Sequence, residues 1–373
     1  MKKYFAILCC ALLAAAACQP NTDDNKGLEW DSLDVNFSAA LNGQSWPAGS
    51  ELGIIATCTR DGKEATLMSE NPVACYVVAE AGEKSLLKAA TDADKITSLK
   101  HASFTLDGVK YVVDANENFD GEPVQCHGGT VGFDKFLWEG EALEEPGRVG
   151  VRFHRLSPDG EQGYPGNLDT YVTYWLTDDN TVKIEYDATT DKPTVVNLSN
   201  HTYFNLRGPE GCYVMEHLLQ VEADTCVQNT TRYCPDLLLP VDDSPFDFRE
   251  PHRVDYRIDT PNEHLRIMKG MSACWVLRDW DGSLRKAANL YDPKSGRGIE
   301  TWTTEPTLLT YTGRGFNADK YSNGKHGPID KFAGMLLETI HFPDSPNQDR
   351  FPSTVLRPGE SYHSETEFRF YAR

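Results

Sequence analysis

The sequence predicts an all-β protein built as a large antiparallel sandwich. Short runs of β-branched and aromatic residues recur along the chain, with glycine, proline, asparagine and aspartate between them. Long helical periodicities are scarce, and strands do not alternate with helices as they do in α/β folds. At 373 residues the chain can form one large β domain, or one domain with a smaller partner.

The first eighteen residues have the layout of a secretory signal. Two lysines precede an apolar run over residues 4–17, which is too short to span a membrane. Small residues stand directly before Cys18, as at a bacterial lipoprotein processing site. We predict a signal peptide over residues 1–18 with Cys18 as the lipidated residue; an ordinary secretory signal is the alternative. The protein is then exported to the periplasm or the outer membrane and held by a lipid anchor.

Residues 19–34 are polar and predict a solvated tether between the anchor and the folded chain. Residues 35–100 contain short β-like runs, for example 52–57 and 73–78, and predict a β-rich N-terminal segment. The pattern at residues 46–54 resembles the opening of fimbrillin-like domains. The segment either supplies strands to the main sandwich or forms a small separate domain.

Residues 101–373 are predicted to form the main domain. Residues 104–111 read as a hairpin around Asp107-Gly108, and residues 171–186 as a second hairpin around Asp178-Asp179-Asn180. Further β runs lie at residues 218–223, 308–312, 335–342 and 364–371. Many strands joined by turns favour the sandwich.

Charge and cysteine usage exclude several functions. The formal net charge of -20 argues against nucleic acid as a partner and against electrostatic attachment to an anionic bilayer. Beyond Cys18, the chain has seven cysteines whose spacings match no metal or redox motif, and their pairing stays open: Cys58, Cys75, Cys126, Cys212, Cys226, Cys234 and Cys274.

Three segments carry side chains suited to chemistry. In the first, His127 precedes Gly128-Gly129, which lets the backbone approach a ligand closely. In the second, residues 197–206, two asparagines and a serine surround His201 at the end of a strand-like run. By period two, Asn197, Ser199 and His201 form one polar face, which needs hydrogen-bond partners or a polar ligand.

The third segment is residues 337–344, where Glu338 lies in an otherwise apolar strand. A charged carboxylate in such a strand is costly unless it is partnered or functional. Each segment also has an ordinary structural explanation: a core histidine, a glycine turn, or a glutamate on a solvated face. The joint occurrence of all three in one chain favours a functional site.

In this order, the three segments resemble the aldose 1-epimerase (galactose mutarotase) family over about residues 101–373. The match is carried by further motifs in the same order: residues 104–111, 157–160, 163–166, 241–249, 295–297, 311–313, 351–353 and 356–360. The resemblance implies a galactose mutarotase-like β-supersandwich with N-terminal strands that are divergent or replaced. It also implies an open sugar cleft with no cofactor and no metal.

The resemblance assigns roles to particular residues. His201 matches the general acid that protonates the ring oxygen of the sugar, and Glu338 matches the general base that acts on the anomeric hydroxyl. His127 matches a histidine that holds sugar hydroxyls, and we predict further sugar contacts from Asn200 and Tyr203. The partner is therefore a monosaccharide or a sugar terminus, and the sequence does not indicate the oligomeric state.

The chain also departs from the family. Thr97-Ser98-Leu99 stands where the family has an arginine that contacts sugar, and Ser272-Ala273 replaces an Asp-His pair. Four more positions usually hold glutamine, asparagine, arginine and glutamine in the family; here they are Leu309, Arg314, Phe332 and Ile340. Losing a charge-assisted hydrogen bond typically costs about 1.5–3 kcal/mol, so these changes weaken sugar binding.

Three functions remain open at the level of sequence. The first is an exported aldose 1-epimerase, which the retained His201 and Glu338 favour. The second is a catalytically impaired, carbohydrate-binding surface lipoprotein that keeps the fold, which Ser98 and Ser272 favour. The third, a hexose-phosphate epimerase, needs a basic phosphate pocket that the sequence does not reveal.

Overall fold

The computed structural model describes residues 101–119, 121–208, 213–228, 237–319 and 329–373, together with short strands between residues 51 and 100. The predicted signal peptide, Cys18, the tether and residues 35–50 lie outside the described residues. The described chain is dominated by antiparallel strands, which confirms the all-β prediction. None of its helices is long and apolar enough to cross a membrane.

The described strands are numbered here in chain order. Up to residue 126 they are β1 Glu51–Gly53, β2 Thr57–Arg60, β3 Lys63–Thr66, β4 Cys75–Val78, β5 Leu86–Ala89, β6 Ala93–Asp94, β7 Ser98–Lys100, β8 Ser103–Leu106, β9 Val109–Val112, β10 Glu117–Phe119 and β11 Glu122–Cys126. The next are β12 Leu137–Glu145, β13 Arg148–Ser157, β14 Leu168–Thr177, β15 Thr181–Thr190, β16 Thr194–Val195, β17 Ser199–Asn200, β18 Tyr203–Phe204, β19 Leu218–Val221, β20 Ala223–Gln228 and β21 Leu237–Pro240. The last are β22 His252–Arg253, β23 Ala273–Leu277, β24 Arg285–Asp292, β25 Arg297–Thr303, β26 Thr307–Tyr311, β27 Met335–Ile340, β28 Val355–Leu356 and β29 Tyr362–Ala372.

Helix is confined to short elements in the described chain. The α-helix α1 spans Glu263–Met268, and the side chain of Asn262 caps it by accepting a hydrogen bond from the amide of Leu265. Single 3-10 turns lie at Phe133–Lys135, Glu161–Gly163, Val214–Glu216 and Ser345–Asn347.

Two sheets form the sandwich. Among the described residues, twelve strands make a large sheet in the order β1-β4-β5-β12-β13-β14-β15-β29-β25-β24-β19-β22. Six strands make the facing sheet in the order β18-β27-β26-β23-β20-β21. We call this second sheet the site sheet, because its strand β27 carries Glu338.

The hydrophobic core lies between the two sheets. Alternate residues of β15 and β29 point inward, as Ile184 and Phe368 do, and meet Trp275, Leu308 and Leu337 of the site sheet. The buried indole of Trp275 donates from Nε1 to the carbonyl of Phe246 at 3.0 Å, so its one polar atom is satisfied. Residues of the site sheet between these core positions therefore face away from the core.

The predicted hairpins are confirmed. Strands β8 and β9 pair around Asp107 and Gly108, whose φ angles of 50° and 78° fit the mirror-image turns that hairpins prefer. Strands β14 and β15 pair along their length around residues 178–180. The remaining predicted β runs correspond to β19, β26, β27 and β29.

Strands of the N-terminal segment join this architecture. Strands β4 and β5 extend the edge of the large sheet, since β5 pairs with β12. Strand β6 pairs with β17, beside His201, and β7 pairs with β11, beside His127. In the described structure the segment supplies strands around the site, and the domain boundary at residue 100 stays a prediction.

Candidate active site

Sheet register places His201 beside Glu338. Strand β18 is antiparallel to β27, with Tyr203 opposite Leu336 and Phe204 opposite Met335. His201 lies two residues before Tyr203, outside β18, and Glu338 lies two residues after Leu336 on β27. Extending the β18–β27 register by two residues would set His201 opposite Glu338, and opposed side chains of an antiparallel pair share a face. The two residues most strongly predicted from the sequence therefore belong to neighbouring segments at this end of the pairing.

The chain before His201 is fastened to β27 by side chains. Asn197 donates from Nδ2 to the carbonyl of His341 at 3.1 Å, and its Oδ1 accepts from the His341 amide at 3.0 Å. The hydroxyl of Ser199 donates to the carbonyl of Thr339 at 2.9 Å. The polar face predicted for Asn197 and Ser199 thus exists, and its hydrogen bonds go to the strand that carries Glu338.

The chain after His201 is fastened as well. Asn205 donates from Nδ2 to the carbonyl of Ala333 at 2.8 Å, just before β27 begins. The Leu206 amide donates to Nε2 of buried His217 at 3.1 Å, and Nη1 of Arg297 donates to the Leu206 carbonyl at 3.0 Å. Asn197 and Asn205 therefore hold the segment at both ends of β27, four residues on either side of His201.

Glu338 lies in the interior of the site sheet. All six residues of β27 are buried, and Glu338 itself has 0% exposure. Its neighbour across the pairing with β26 is Leu309, and Leu309 in turn is opposite Cys274 of β23. The carboxylate therefore has an apolar flank on the side away from His201.

His127 occupies a tight turn held by Asn116. His127 adopts a left-handed conformation with φ of 53°, and Gly129 follows with φ of 102°. A φ of 102° is a conformation that residues with a side chain rarely adopt, so this position favours glycine. Asn116 donates from Nδ2 to the carbonyls of Cys126 at 2.9 Å and Gly129 at 3.1 Å, and it accepts from the Cys126 amide at 2.7 Å.

This turn brings His127 to His201. Their ring centroids are 5.3 Å apart, with the rings perpendicular. His127 is exposed and His201 is half-buried, so both imidazoles reach the space above the sheet. The structure thus joins two segments that lie more than seventy residues apart in the sequence.

Aromatic side chains continue the surface beyond His201. The ring of Tyr203 lies 5.0 Å from the ring of His201 and 4.6 Å from that of Phe316. Tyr311 lies 6.1 Å from Tyr203, and the guanidinium of Arg314 lies 5.9 Å from the Tyr311 ring. Tyr203 thus lies beside His201, and its predicted contact with sugar stays a prediction. Tyr311 and Phe316 join the same group of rings without having been indicated by the sequence as site residues.

Asn200 points elsewhere. It is buried, and its Nδ2 donates to the hydroxyl of Tyr186 at 3.3 Å. Its Oδ1 accepts from the Thr202 amide at 3.4 Å. The Asn200 amide thus makes hydrogen bonds within the protein, and its predicted contact with sugar stays a prediction.

The two serines singled out in the sequence, Ser98 and Ser272, have different surroundings. Ser98 of β7 pairs with Cys126, directly before His127. Ser272 is buried at the start of β23, and its carbonyl lies 2.6 Å from Nε2 of His264. Burial lowers the pKa of His264, with the Ser272 carbonyl opposing the shift.

A second histidine–carboxylate pair lies where β27 ends. Nδ1 of His341 is 2.5 Å from Oε2 of Glu305, which is almost completely buried. Burial acts against the charged imidazole, but the charge and hydrogen bond of Glu305 outweigh it, and the pKa of His341 is raised above 6.5. Because Asn197 binds the backbone of His341, this pair stiffens the attachment of the His201 segment.

Metal ligation finds no support in the described part of the chain, where no three histidine, cysteine or acidic residues converge on one point. Cys126, Cys226 and Cys274 are buried. An imidazole and a carboxylate on one sheet face can donate and accept a proton on neighbouring atoms of a polar ligand. The arrangement therefore suits general acid–base chemistry.

A family model for aldose 1-epimerases matches residues 69–369 of the chain. The chain belongs to the aldose 1-epimerase family. Galactose mutarotase from Mus musculus is 38% identical over 274 residues, which cover 72% of this chain and 74% of the relative. Aldose 1-epimerase from Escherichia coli K12 is 36% identical over 273 residues, covering 70% and 77% of the two chains.

Solved structures support the same fold. A GalM/aldose epimerase homologue from C. elegans superposes with a TM-score of 0.65 at 24% identity, over 87% of this chain and 94% of that chain. Galactose 1-epimerase from Lactobacillus acidophilus gives 0.65 at 20% identity, over 84% and 96%. These likenesses confirm the galactose mutarotase-like sandwich, and the family relatives make the chain an aldose 1-epimerase-type enzyme.

Proposed function

We propose that this aldose 1-epimerase is an exported enzyme that interconverts the α and β anomers of a free or terminal aldose. The observation that carries the proposal is the attachment of the His201 segment to β27 on both sides, by Ser199 to Thr339 and by the pairing of Tyr203 with Leu336, with the rings of His127 and His201 5.3 Å apart. Two proton-transferring groups on one face match a reaction that exchanges protons at two oxygens of a single carbon.

In the proposed reaction Glu338 is the general base and His201 the general acid. Glu338 removes the proton from the anomeric hydroxyl, whose oxygen forms a carbonyl with C1 while the bond between C1 and the ring oxygen breaks. His201 gives its proton to the departing ring oxygen. The open aldehyde rotates about the bond between C1 and C2, and the same steps in reverse close the ring as the other anomer.

Sugar binding is assigned to the groups around this pair. The exposed imidazole of His127 faces the space above His201 and can exchange hydrogen bonds with sugar hydroxyls. The half-buried ring of Tyr203 offers an apolar face and a hydroxyl to the same ligand. No step of the proposed reaction needs a cofactor.

Export and lipidation complete the proposal, on the evidence of residues 1–18. Cys18 would carry the lipid anchor, and residues 19–34 would be the tether in the periplasm or at the outer membrane. Expression of the wild type and Cys18→Ala in a bacterium fed a radiolabelled fatty acid tests this. Label in both proteins, or in neither, contradicts lipidation at Cys18.

A second function is favoured by the uncharged positions around the site. Buried Ser272 and apolar Leu309 reduce hydrogen bonding to a sugar, which suits a catalytically impaired, carbohydrate-binding surface lipoprotein. Polarimetry of fresh α-D-glucose and α-D-galactose with the wild type and Glu338→Gln separates the two functions. The enzyme predicts acceleration by the wild type alone. If calorimetry shows that the protein binds sugar while mutarotation is no faster than in buffer alone, the result supports the carbohydrate-binding function.

A further inference from the structure

The outer face of the site sheet carries one row of side chains across four strands, with His201 in the segment beside the Glu338 end of the row. Cross-strand pairing aligns Glu338 with Leu309, Leu309 with Cys274, and Cys274 with Val227. His201 continues the row on the other side of Glu338. Because opposed residues share a face, the row runs from a proton donor through the base to three apolar side chains.

The chemistry of ring opening fixes how a sugar lies along this row. The anomeric carbon C1 is bonded to the anomeric oxygen, the ring oxygen and C2. When Glu338 takes the proton of the anomeric hydroxyl and His201 faces the ring oxygen, C2 lies on the far side of C1 from His201. That side is occupied by Leu309, one strand spacing of about 4.8 Å from Glu338.

The surroundings of Leu309 are apolar. Leu309 is half-buried and packs against a cluster of four buried side chains, Val227, Cys274, Phe342 and Phe351. Two residues before Leu309, the hydroxyl of Thr307 donates to the carbonyl of Ile340 at 2.6 Å, and two residues after it, the hydroxyl of Tyr311 accepts from the Gly315 amide at 2.7 Å. Burial raises the pKa of the Cys274 thiol to about 12, so this neighbour stays uncharged.

We propose that Leu309 determines specificity and that the cleft prefers aldoses without a hydroxyl at C2, the 2-deoxyaldoses. The inference rests on the proposed acid and base roles of His201 and Glu338. A C2 hydroxyl directed at Leu309 loses water without gaining a hydrogen bond, whereas a CH2 group packs against the leucine at no such cost. Discrimination by one hydroxyl against an apolar surface is modest, and we expect about tenfold.

The test compares D-glucose with 2-deoxy-D-glucose as substrates of the wild type and of Leu309→Gln. Polarimetry gives kcat/KM for each sugar after subtraction of its spontaneous rate. We expect the wild type to favour 2-deoxy-D-glucose by about tenfold and Leu309→Gln, which supplies an amide, to lose that preference. Leu309→Met should keep it, and Leu156→Gln, an exposed position on β13, is the matched control.

The outcomes separate the two levels of inference. Acceleration of neither sugar overturns the proposed function, and the specificity falls with it. Suppose that the wild type accelerates both sugars, that D-glucose has the higher kcat/KM, and that Leu309→Gln leaves the ratio of the two kcat/KM values unchanged. This result overturns the proposed preference for 2-deoxyaldoses, while the proposed epimerase function stands. If the ratio of kcat/KM for the two sugars changes as much in Leu156→Gln as in Leu309→Gln, the proposed role of Leu309 is also overturned.

Discussion

Asn197 binds both peptide groups of His341, as a donor at 3.1 Å and as an acceptor at 3.0 Å. Replacing it by aspartate keeps the acceptor but sets a second oxygen against the His341 carbonyl. The His201 segment should then shift relative to Glu338. We expect Asn197→Asp to lower kcat by about ten- to a hundredfold with little change in KM, since catalysis by paired groups depends on their positions. Steady-state polarimetry measures both constants.

Gln220→Ala serves as the control for this effect. Gln220 donates from Nε2 to the carbonyl of Arg249 at 3.1 Å, on the large sheet. Its loss should cost about 1 kcal/mol of unfolding free energy and leave kcat unchanged. An equal fall of kcat in both variants would mean that general destabilisation, not the position of His201, causes the loss.

Asn116 should act on sugar binding through His127. Its three hydrogen bonds hold the turn in which His127 has a positive φ. Without them a strained left-handed residue relaxes towards other conformations. Asn116→Ala and His127→Ala should therefore each raise KM about tenfold, and the double variant should add little to either. Additive effects would refute a role of Asn116 through His127.

The fold was predictable because its signals are local. Asp107-Gly108 and residues 178–180 mark hairpins whose strands alternate, and tertiary packing did not override them. The joining of β4 and β5 to the large sheet was not predictable. Strand pairing between distant segments depends on which edge is open in the folded sheet, and a short strand does not encode its partner.

The site was predictable in part. The sequence pointed to His127, His201 and Glu338 by residue type and order, and register unites the last two. The position of Asn116 gave no signal, because an asparagine in a loop is usually a turn former. The hydrogen bond from the Asn200 amide to Tyr186 gave no signal in the sequence either, because alternation along a strand gives the face of a side chain but not its partner. The sugar contact of Asn200 stays a prediction.

His217 should make stability depend on pH. Burial lowers its pKa to about 4 from 6.5, and Nε2 accepts the Leu206 amide, which requires the neutral ring. Between pH 6.5 and 4 the unfolded chain binds a proton that the folded chain does not, so unfolding free energy falls as pH is lowered. We expect this histidine to contribute about 3 kcal/mol at pH 7 that is largely lost near pH 4.

Urea denaturation at pH 7 and pH 4.5 measures this contribution. His217→Gln, which retains a hydrogen-bond acceptor but does not titrate, should lose less stability than the wild type between the two pH values. His341 should act in the opposite sense, because its raised pKa gives stability that is present below pH 6.5 and lost at higher pH. Identical pH dependence in the wild type and His217→Gln would contradict the prediction.

Arg207 compensates a buried charge behind the site. Nη2 of Arg207 lies 2.8 Å from Oδ1 of Asp292, which has no exposed surface, and the hydrogen bond outweighs burial to lower the Asp292 pKa to about 2. Arg207→Leu leaves the buried Asp292 carboxylate without its ion-pair partner. We expect this variant to lose about 3–5 kcal/mol of unfolding free energy. The exposed Arg266, paired with Glu263, is the control. Arg266→Leu should cost less than about 1 kcal/mol, and equal losses would refute the distinction.

The central claim is that His201 and Glu338 act as one catalytic unit. Initial rates of mutarotation by polarimetry for His201→Asn, Glu338→Gln and the double variant test it most directly. If the two residues act in one step, each single variant should lose about a thousandfold or more in kcat, and the double variant should lose hardly more than either. A double variant whose loss is the product of the two single losses, or a single variant that keeps wild-type activity, would contradict the claim.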